Sequence, residues 1–337
     1  MNATTVEEGL ELRQADRPYI VGIDLGGTNV RAAVTDRAGK ILGEGREPSL
    51  AMEGADLTIP QIIKAIRSAL ADAGVDASRV AGIGMGVPGW HNSREGIVLW
   101  SPNFKDWHGV QLLAPIKEDL GVPAFMGNDV NVAALGEFNF GAGRDVKSLV
   151  MLTLGTGIGG GIILDDRLWL GANDGAAEIG HTVVVPDGPV CSCGRRGHLE
   201  ALACRDAIIE RAARKIQMGR PSVLVEDADW PLWSVTPAAI AKAAEAGDEV
   251  AVETMAETAY YVGVGISNAI NLLNPEMVIV GGGIAQAGDV LWGPLLRTVQ
   301  ALALTQSRRV CRVVPAELGD DAGIMGGVTL VMQELGL

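Results

Sequence analysis

Two glycine- and threonine-containing turns, far apart in the chain, have the composition of phosphate-binding sites. Each follows an apolar strand and leads into another, and glycine allows backbone N–H groups close approach to phosphate and unusual dihedral angles. The candidate phosphate-binding residues are Gly26, Gly27, Thr28, Asn29, Gly155, Thr156 and Gly157. Asp24 precedes the first turn and is placed to hold magnesium near the phosphates. A hairpin turn without a ligand explains either turn alone. The prediction of a phosphate site therefore depends on the presence of both turns.

The second turn also matches a dinucleotide-binding pattern. Gly155, Gly157 and Gly160 have the spacing G-x-G-x-x-G, which binds pyrophosphate where it opens a helix. The residues that follow, 161–164, are apolar and partly β-branched, so they predict a continuing strand. The nicotinamide interpretation therefore lacks its structural context.

Several polar side chains in apolar or glycine-rich stretches suit a polyhydroxylated ligand. Asn128 and Asp129 follow an apolar strand and precede a predicted helix, where a carboxylate can face a cleft and the amide can orient a hydroxyl. The other candidates are Asn103, Glu178, His181 and Glu200. Each alone is more often a surface residue or a helix cap, and an aspartate that caps the following helix is a common alternative. Together they supply paired donors and acceptors.

Four nitrogen and sulfur donors are spaced to surround one metal ion. They form the pattern His181-x9-Cys191-x-Cys193-x4-His198, with proline and glycine between them. Tetrahedral zinc is the natural occupant, and four protein ligands indicate a structural site. Two unrelated histidines beside a cysteine pair are the alternative.

Composition limits the class of partner. The chain has 337 residues, 48% of them hydrophobic, and a net charge of −14. This charge repels phosphate backbones at long range, so nucleic acid and anionic membrane are not expected as partners. The acidic first residues have no continuous apolar run, so they predict neither a signal peptide nor an anchor, and we expect a cytoplasmic protein.

The elements that must position these residues alternate between strands and helices, which predicts an α/β fold. Strand-rich stretches are expected at 19–34, 80–87, 122–126, 150–164 and 277–280, and helices at about 58–74, 131–138, 199–218, 236–247, 248–273 and 323–337. The segment 219–235 contains two tryptophans and reads as an inserted surface loop.

The motifs together resemble the ROK family of repressors, uncharacterised reading frames and kinases. The family's D-x-G-G-T, G-T-G-x-G-G-G, N-D, E-x-G-H and C-x-C-G-x-x-G-C-x-E motifs correspond to Asp24–Thr28, Gly155–Gly161, Asn128-Asp129, Glu178–His181 and Cys191–Glu200. His198 stands where the family has a third cysteine. Imidazole also binds zinc, so a Cys₂His₂ site is expected.

The resemblance implies a two-lobed, ribonuclease H-like ATPase fold of the actin and hexokinase type, with a cleft between the lobes. Residues 1–17 are expected to be a disordered acidic tail. Residues 18–129 with 320–337 would form a smaller α/β lobe, and residues 130–319 a larger one with the zinc-binding loop.

The implied activity is transfer of phosphate from ATP to the 6-hydroxyl of a hexose, with Mg²⁺ as cofactor and structural Zn²⁺. Asp129 would be the general base. The implied sugar contacts are Gly89, Asn103, Asn128, Asp129, Glu178, His181 and Glu200, and Gly281, Gly282 and Gly283 would pass close to the adenosine.

Several alternatives stay open on the sequence. Ser101-Pro102-Asn103 with Trp107 resembles the glucose-specific branch of the family, but kinases for N-acetylglucosamine, N-acetylmannosamine, fructose, mannose or allose share most of these residues. Polyphosphate could replace ATP, and a homodimer or homotetramer is expected. A sugar-sensing regulator is the alternative from another class. Because only about twenty residues precede the first turn, too few for a DNA-binding domain, the kinase is favoured.

Overall fold

The protein has the predicted α/β architecture, seen in a computed structural model that describes residues 17–225 and 235–337. Most of the acidic tail lies outside the described residues. The two tryptophans of the 219–235 segment also lie outside them. The expectations of a disordered tail and of an inserted surface loop therefore mainly concern residues outside the described part of the chain. Within the described part of the chain, no helix has the length and apolar character needed to cross a membrane.

The elements in chain order are as follows. The strands are β1 Tyr19–Leu25, β2 Asn29–Asp36, β3 Ile41–Pro48, β4 Val80–Val87, β5 Trp90–Asn92, β6 Ile97–Trp100, β7 His108–Gln111, β8 Ala124–Asn128, β9 Leu149–Leu154, β10 Ile158–Leu164, β11 Arg167–Leu168, β12 Met277–Gly281 and β13 Arg312–Pro315. The helices are α1 Ala55–Ala73, α2 Leu113–Leu120, α3 Asp129–Phe140, α4 Glu200–Ala203, α5 Arg205–Gln217, α6 Pro237–Glu245, α7 Glu249–Leu273, α8 Asp289–Leu302, α9 Thr305–Val310 and α10 Ala322–Leu335.

The chain divides into two compact units. Of the described residues, the first unit comprises 17–144, 168–176 and 317–337, and the second comprises 145–167, 177–225 and 235–316. These boundaries differ from the expected ones because α3 packs against α10 and so belongs to the first unit.

The first unit is built on a five-stranded sheet with the order β3-β2-β1-β4-β8. β1, β4 and β8 run parallel, so their carboxyl ends share one edge. One face of the sheet, with Val21 and Ile23, packs on Ile62 and Ile66 of α1. The opposite face packs on α10, which comes so close that a side chain at Gly84 would overlap the backbone of Gly327.

The second unit is built on a sheet with the order β11-β10-β9-β12-β13. β9 and β10 form the expected hairpin, and β12 runs parallel to β9. The core joins this sheet to the buried face of α7, which includes Met255, Val262 and Ile266. The two phosphate-turn hairpins, β1–β2 and β9–β10, therefore occupy different units.

Several local predictions need correction. The helix expected at 199–218 is interrupted at Cys204 and forms α4 and α5, and the first helix begins at Ala55 with Pro60 inside it. No prediction covered β3, β11, β13, α2, α8, α9 or the small sheet of β5, β6 and β7. These strands are short or half-exposed and lack a strong alternating pattern.

Candidate functional site

The first glycine turn joins β1 to β2 and exposes its backbone. The Gly26 N–H donates to the Asn29 carbonyl at 3.0 Å, and the Ser49 N–H donates to the Thr28 carbonyl at 2.9 Å. A methyl group on Gly27 would meet no described atom within 4 Å. Neither glycine has a positive φ, so the expectation of unusual dihedral angles is wrong here. Glycine supplies bare backbone that a phosphate could approach.

The second turn has the same design in the second unit. The Gly155 N–H donates to the Gly157 carbonyl at 3.0 Å, and the Gly155 carbonyl accepts from the Arg205 N–H at 2.9 Å. Neither glycine has a positive φ, so the same correction applies. The chain continues from this turn as strand β10, which confirms that the G-x-G-x-x-G spacing does not open a helix.

The glycine run after β12 lies beside the second turn. Gly281 pairs with Thr153 of β9. Gly282 has a φ of 86°, and a side chain there would overlap the backbone of Leu154. A methyl group on Gly283 would meet no described atom within 4 Å. The candidate adenosine and phosphate residues of this unit are therefore adjacent.

Asn128 and Asp129 form the junction between β8 and α3. Asn128 Oδ1 accepts hydrogen bonds from the N–H groups of Val130 at 3.0 Å and Asn131 at 3.2 Å. Asn128 is thus the N-cap of α3, and the alternative in which the aspartate caps the helix is wrong. Asp129 Oδ1 lies 3.0 Å from the Val130 nitrogen. The cap fixes the direction in which the Asp129 side chain leaves the helix.

The surroundings of Asp129 make its carboxylate a stronger base. The pKa of Asp129 is raised from 3.8 to about 6, mainly by burial; the hydrogen bond from Val130 opposes this rise and the negative charge of Asp24 adds to it. Asp24 and Asp129 meet at one sheet edge because Asp24 pairs with Gly86 of β4, and a methyl group on Gly86 would lie 3.2 Å from Asp129 Cα. A carboxylate with this pKa is ionised at neutral pH and can accept a proton.

Asp24 faces further carboxylates at the start of α10. Burial raises the pKa of Asp24, and the charges of Asp320 and Asp321 add to this, while Arg31 opposes it. Arg31 Nη2 lies 2.8 Å from Asp321 Oδ1. These four residues line part of a cavity of about 680 Å³. Oxygen ligands in an open cavity suit a hydrated magnesium ion.

A loop in the first unit carries Asn103 close to Gly89. Gly89 has a φ of 105°, and a side chain there would overlap the Trp100 carbonyl. The Asn103 N–H donates to Ser101 Oγ at 3.4 Å. The buried ring of Trp107, stacked on Phe104 with the centroids 4.6 Å apart, anchors the loop, which leaves Asn103 exposed.

The four predicted metal ligands converge in the second unit. Their donor atoms all lie within 4.8 Å of one another. His181 Nδ1 lies 3.6 Å from Cys191 Sγ, and His198 Nδ1 lies 3.3 Å from Cys193 Sγ. Two thiols and two imidazoles at these separations fit one tetrahedral zinc ion with small adjustments.

The two nitrogens of His181 face different neighbours, which reconciles its two expected roles. Nδ1 faces the cysteines, whereas Nε2 lies 3.8 Å from Glu178 Oε2. An ion on Nδ1 would fix the ring so that Nε2 and the half-exposed Glu178 carboxylate present polar atoms to a ligand. His181 can thus bind a metal and orient a hydroxyl at the same time.

Glu200 joins the metal loop to the second phosphate turn. Its Oε2 accepts from the Ile158 N–H at 3.0 Å, and its Oε1 accepts from Ser192 Oγ at 2.8 Å. A methyl group on Gly157 would lie 2.6 Å from Oε2. The carboxylate predicted to contact a sugar therefore also fixes the backbone of the turn.

Some residues that support the site were missed in the sequence. Arg31 pairs with Asp321, 290 residues away, and Ser192 bonds to Glu200 across an irregular loop, so no periodic pattern identifies either residue. Glu137 is fully buried, and its carboxylate accepts from the N–H groups of Ala142 at 2.9 Å, Glu317 at 3.1 Å and Leu318 at 2.8 Å. Glu137 lies in the helix predicted at 131–138, where a glutamate is more often a surface residue.

Known proteins are similar to nearly the whole chain. A glucokinase of Halalkalibacterium halodurans is 36% identical over 321 residues, which cover 95% of this chain and 96% of that protein. The crystal structure of a ROK family glucokinase from Streptomyces griseus, in complex with glucose and AMPPNP, is 33% identical with a TM-score of 0.77 and covers 94% of this chain and 99% of that one.

A regulator is also similar. The crystal structure of a ROK family transcriptional regulator, a homologue of the E. coli MLC protein, is 30% identical with a TM-score of 0.83 and covers 94% of this chain and 78% of that one. These neighbours confirm the actin- and hexokinase-like α/β fold. The sequence model of the ROK family matches residues 20–334. Since that match spans almost the whole chain, this protein is a member of the ROK family.

Proposed function

We propose that this protein is an ATP-dependent glucokinase that converts glucose to glucose 6-phosphate. The observation that carries the proposal is the Asp129 carboxylate, which has a pKa of about 6 and leaves the capped first turn of α3 at the carboxyl edge of parallel strands. The ROK glucokinases that match nearly the full chain support the same substrates. A base, two phosphate turns and paired hydroxyl-binding groups are the parts that phosphoryl transfer to a sugar requires.

In this mechanism Asp129 accepts the proton of the glucose 6-hydroxyl as that oxygen attacks the γ-phosphorus. The bond between the γ-phosphorus and the β–γ bridging oxygen breaks, and ADP leaves with the electron pair. As the family resemblance implies, Asn103, Asn128, Glu178 and His181 would hold the ring hydroxyls. The backbone N–H groups of the two turns would bind the phosphate oxygens.

Magnesium would bind near Asp24. Burial raises the pKa of Asp24, the charges of Asp320 and Asp321 add to this, and a cation would relieve the repulsion among the three carboxylates. A bound magnesium ion neutralises charge on the β- and γ-phosphates. Zinc would bind to the convergent Cys₂His₂ set and hold the loop that carries Glu178 and His181. Its role would be structural, since four protein ligands leave no open position.

We further propose a homodimer or homotetramer. Large apolar side chains exposed on the second unit support this, among them Leu272 at 82% and Leu304 at 62% exposure. Light scattering on the purified protein measures the assembly directly. The expected cytoplasmic location rests on composition alone.

A coupled assay for ADP production tests the function. It compares glucose with mannose, fructose, allose, N-acetylglucosamine and N-acetylmannosamine, and compares ATP with polyphosphate. We expect the highest kcat/KM with glucose and ATP. ADP production that no sugar stimulates would reject the kinase. A clear preference for an N-acetylhexosamine would keep the kinase but replace glucose as the substrate.

A further inference from the structure

A second cavity, of about 310 Å³, lies beside the free edge of β8 within the first unit. β8 is the last strand of its sheet, and its residues Ala124–Asn128 line the cavity. Its polar walls include His91, Arg94, Lys117, Asn131 and Asp174. The volume is at the lower end of the range for small-molecule sites. None of these five side chains was assigned to the sugar, the nucleotide or the metal.

Two buried side chains that line the cavity have unused hydrogen-bonding atoms. His91 is 5% exposed, and neither ring nitrogen makes a well-formed hydrogen bond within the described residues. Asn131 is 2% exposed, and its Oδ1 likewise has no partner there. A buried polar atom without a partner destabilises the fold. A ligand with hydroxyl groups would satisfy both side chains.

The charged groups of the cavity indicate the sign of the ligand. Arg94 and Lys117 are exposed, and neither has an ion-pair partner in the described part of the chain. Asp174 is engaged, because its Oδ2 accepts from Ser93 N at 3.0 Å and Ser93 Oγ at 2.7 Å. Glu334 also lines the cavity. Its negative charge favours an anion that presents hydroxyl groups to it over an anion that has none.

We propose that this cavity is a binding site for a small hydroxylated anion, with a sugar phosphate as the ligand class. The anionic group would pair with Arg94 and Lys117, and the hydroxyl groups would donate to Asn131 Oδ1 and bond to His91. The site adjoins the proposed catalytic junction, since the Asn131 N–H donates to Asn128 Oδ1 at 3.2 Å. Asn128 also lines the cavity, so the two proposed sites share this residue, whereas His91, Arg94 and Lys117 belong to the cavity alone.

Calorimetric titration of the full-length protein with glucose 6-phosphate tests this proposal. Saturating glucose and AMPPNP are present, so that product does not enter the active site. We expect one binding event per chain, weakened at least about tenfold in Arg94→Glu/Lys117→Glu because two charge pairs become repulsive. The control Lys40→Glu/Arg309→Glu makes the same charge change at exposed positions outside the cavity and should bind like wild type.

The outcomes separate this inference from the proposed function. Absence of binding to the wild-type protein, or equal binding to the cavity variant and the control, would overturn it. Equally tight binding of inorganic phosphate would overturn the assignment to a hydroxylated ligand. Thermal melting verifies that both variants are folded. Because the readout is binding, a protein without kinase activity could still support the second site.

Discussion

The Glu200 carboxylate accepts a hydrogen bond from the Ile158 N–H at 3.0 Å while it also accepts one from Ser192 Oγ at 2.8 Å. One side chain thus connects the end of the second phosphate turn to the loop of predicted metal ligands. A residue that only contacted a sugar would not bond to the backbone of this turn. If the proposed sites are correct, nucleotide and sugar affinity depend on a common carboxylate.

We predict that Glu200→Ala raises the KM for both ATP and glucose by roughly tenfold or more. A hydrogen bond to a charged group contributes about 1.5–3 kcal/mol, and the Ile158 N–H would lose its acceptor. Steady-state kinetics with each substrate varied in turn measures both constants. Glu210→Ala, an exposed change on α5, is the control. An increase confined to the glucose KM would show that the contact with the turn is unimportant.

Asp129→Asn should lower kcat by about a thousandfold, because general-base catalysis contributes about 10²–10⁴ and an amide accepts no proton. Glucose affinity should change little, which calorimetry can verify. Glu118→Gln, an exposed change on α2 in the same unit, is the control. Wild-type turnover by Asp129→Asn would eliminate the base assignment.

The same substitution should stabilise the fold at neutral pH. The pKa of Asp129 is raised from 3.8 to about 6, so the native state binds more protons than the unfolded state between these values. Stability therefore falls as pH rises through this window, by at most about 3 kcal/mol at 1.36 kcal/mol per pKa unit. Urea unfolding at pH 7.5 should show Asp129→Asn to be about 1–3 kcal/mol more stable than wild type. Equal or lower stability would contradict the burial argument.

The pH profile of kcat/KM should report the same carboxylate. Activity should rise with pH through an apparent pKa near 6, because Asp129 must be ionised in the free enzyme to accept the proton. Initial rates at low glucose between pH 4.5 and 8 measure this profile. An apparent pKa near 4 would show that the carboxylate is not desolvated in solution.

Cys193→Ser should abolish the proposed binding of zinc, since only three of the four convergent donors keep their chemistry. We expect about one zinc per chain in the wild type by atomic emission, and a glucose KM at least about tenfold higher in the variant as Glu178 and His181 lose their support. Cys311→Ser, which lies outside the cluster, should keep its metal. Active wild-type protein without zinc would reject the metal site.

Glu137→Ala should destabilise the first unit by about 2–4 kcal/mol. The fully buried carboxylate accepts from three backbone N–H groups, and its removal leaves these donors unsatisfied. The bonded segments, Ala142 and Glu317–Leu318, lie next to the points where the chain leaves and re-enters the unit. Urea unfolding, with Glu118→Gln as control, measures the change. Unchanged stability would show that water replaces the carboxylate.

The sequence by itself determined the features that depend on local chemistry. Strand–turn–strand patterns located both phosphate turns, and the compact spacing of the cysteines and histidines predicted a four-donor cluster that does converge. Periodic apolar residues located the long helices, including α7. The junction of β8 and α3 was likewise evident, because an apolar strand followed by Asn128 has the chemistry of a helix start.

The tertiary structure decided what depends on neighbours from distant segments. The pKa of Asp129 depends on burial and on Asp24 two strands away. The second bond of Glu200, the burial of Glu137 and the cavity beside β8 arise only when separate segments pack. The reason is physical: periodicity and turn chemistry act over a few residues, whereas desolvation and Coulomb interactions depend on distance in space, which one sequence does not encode locally.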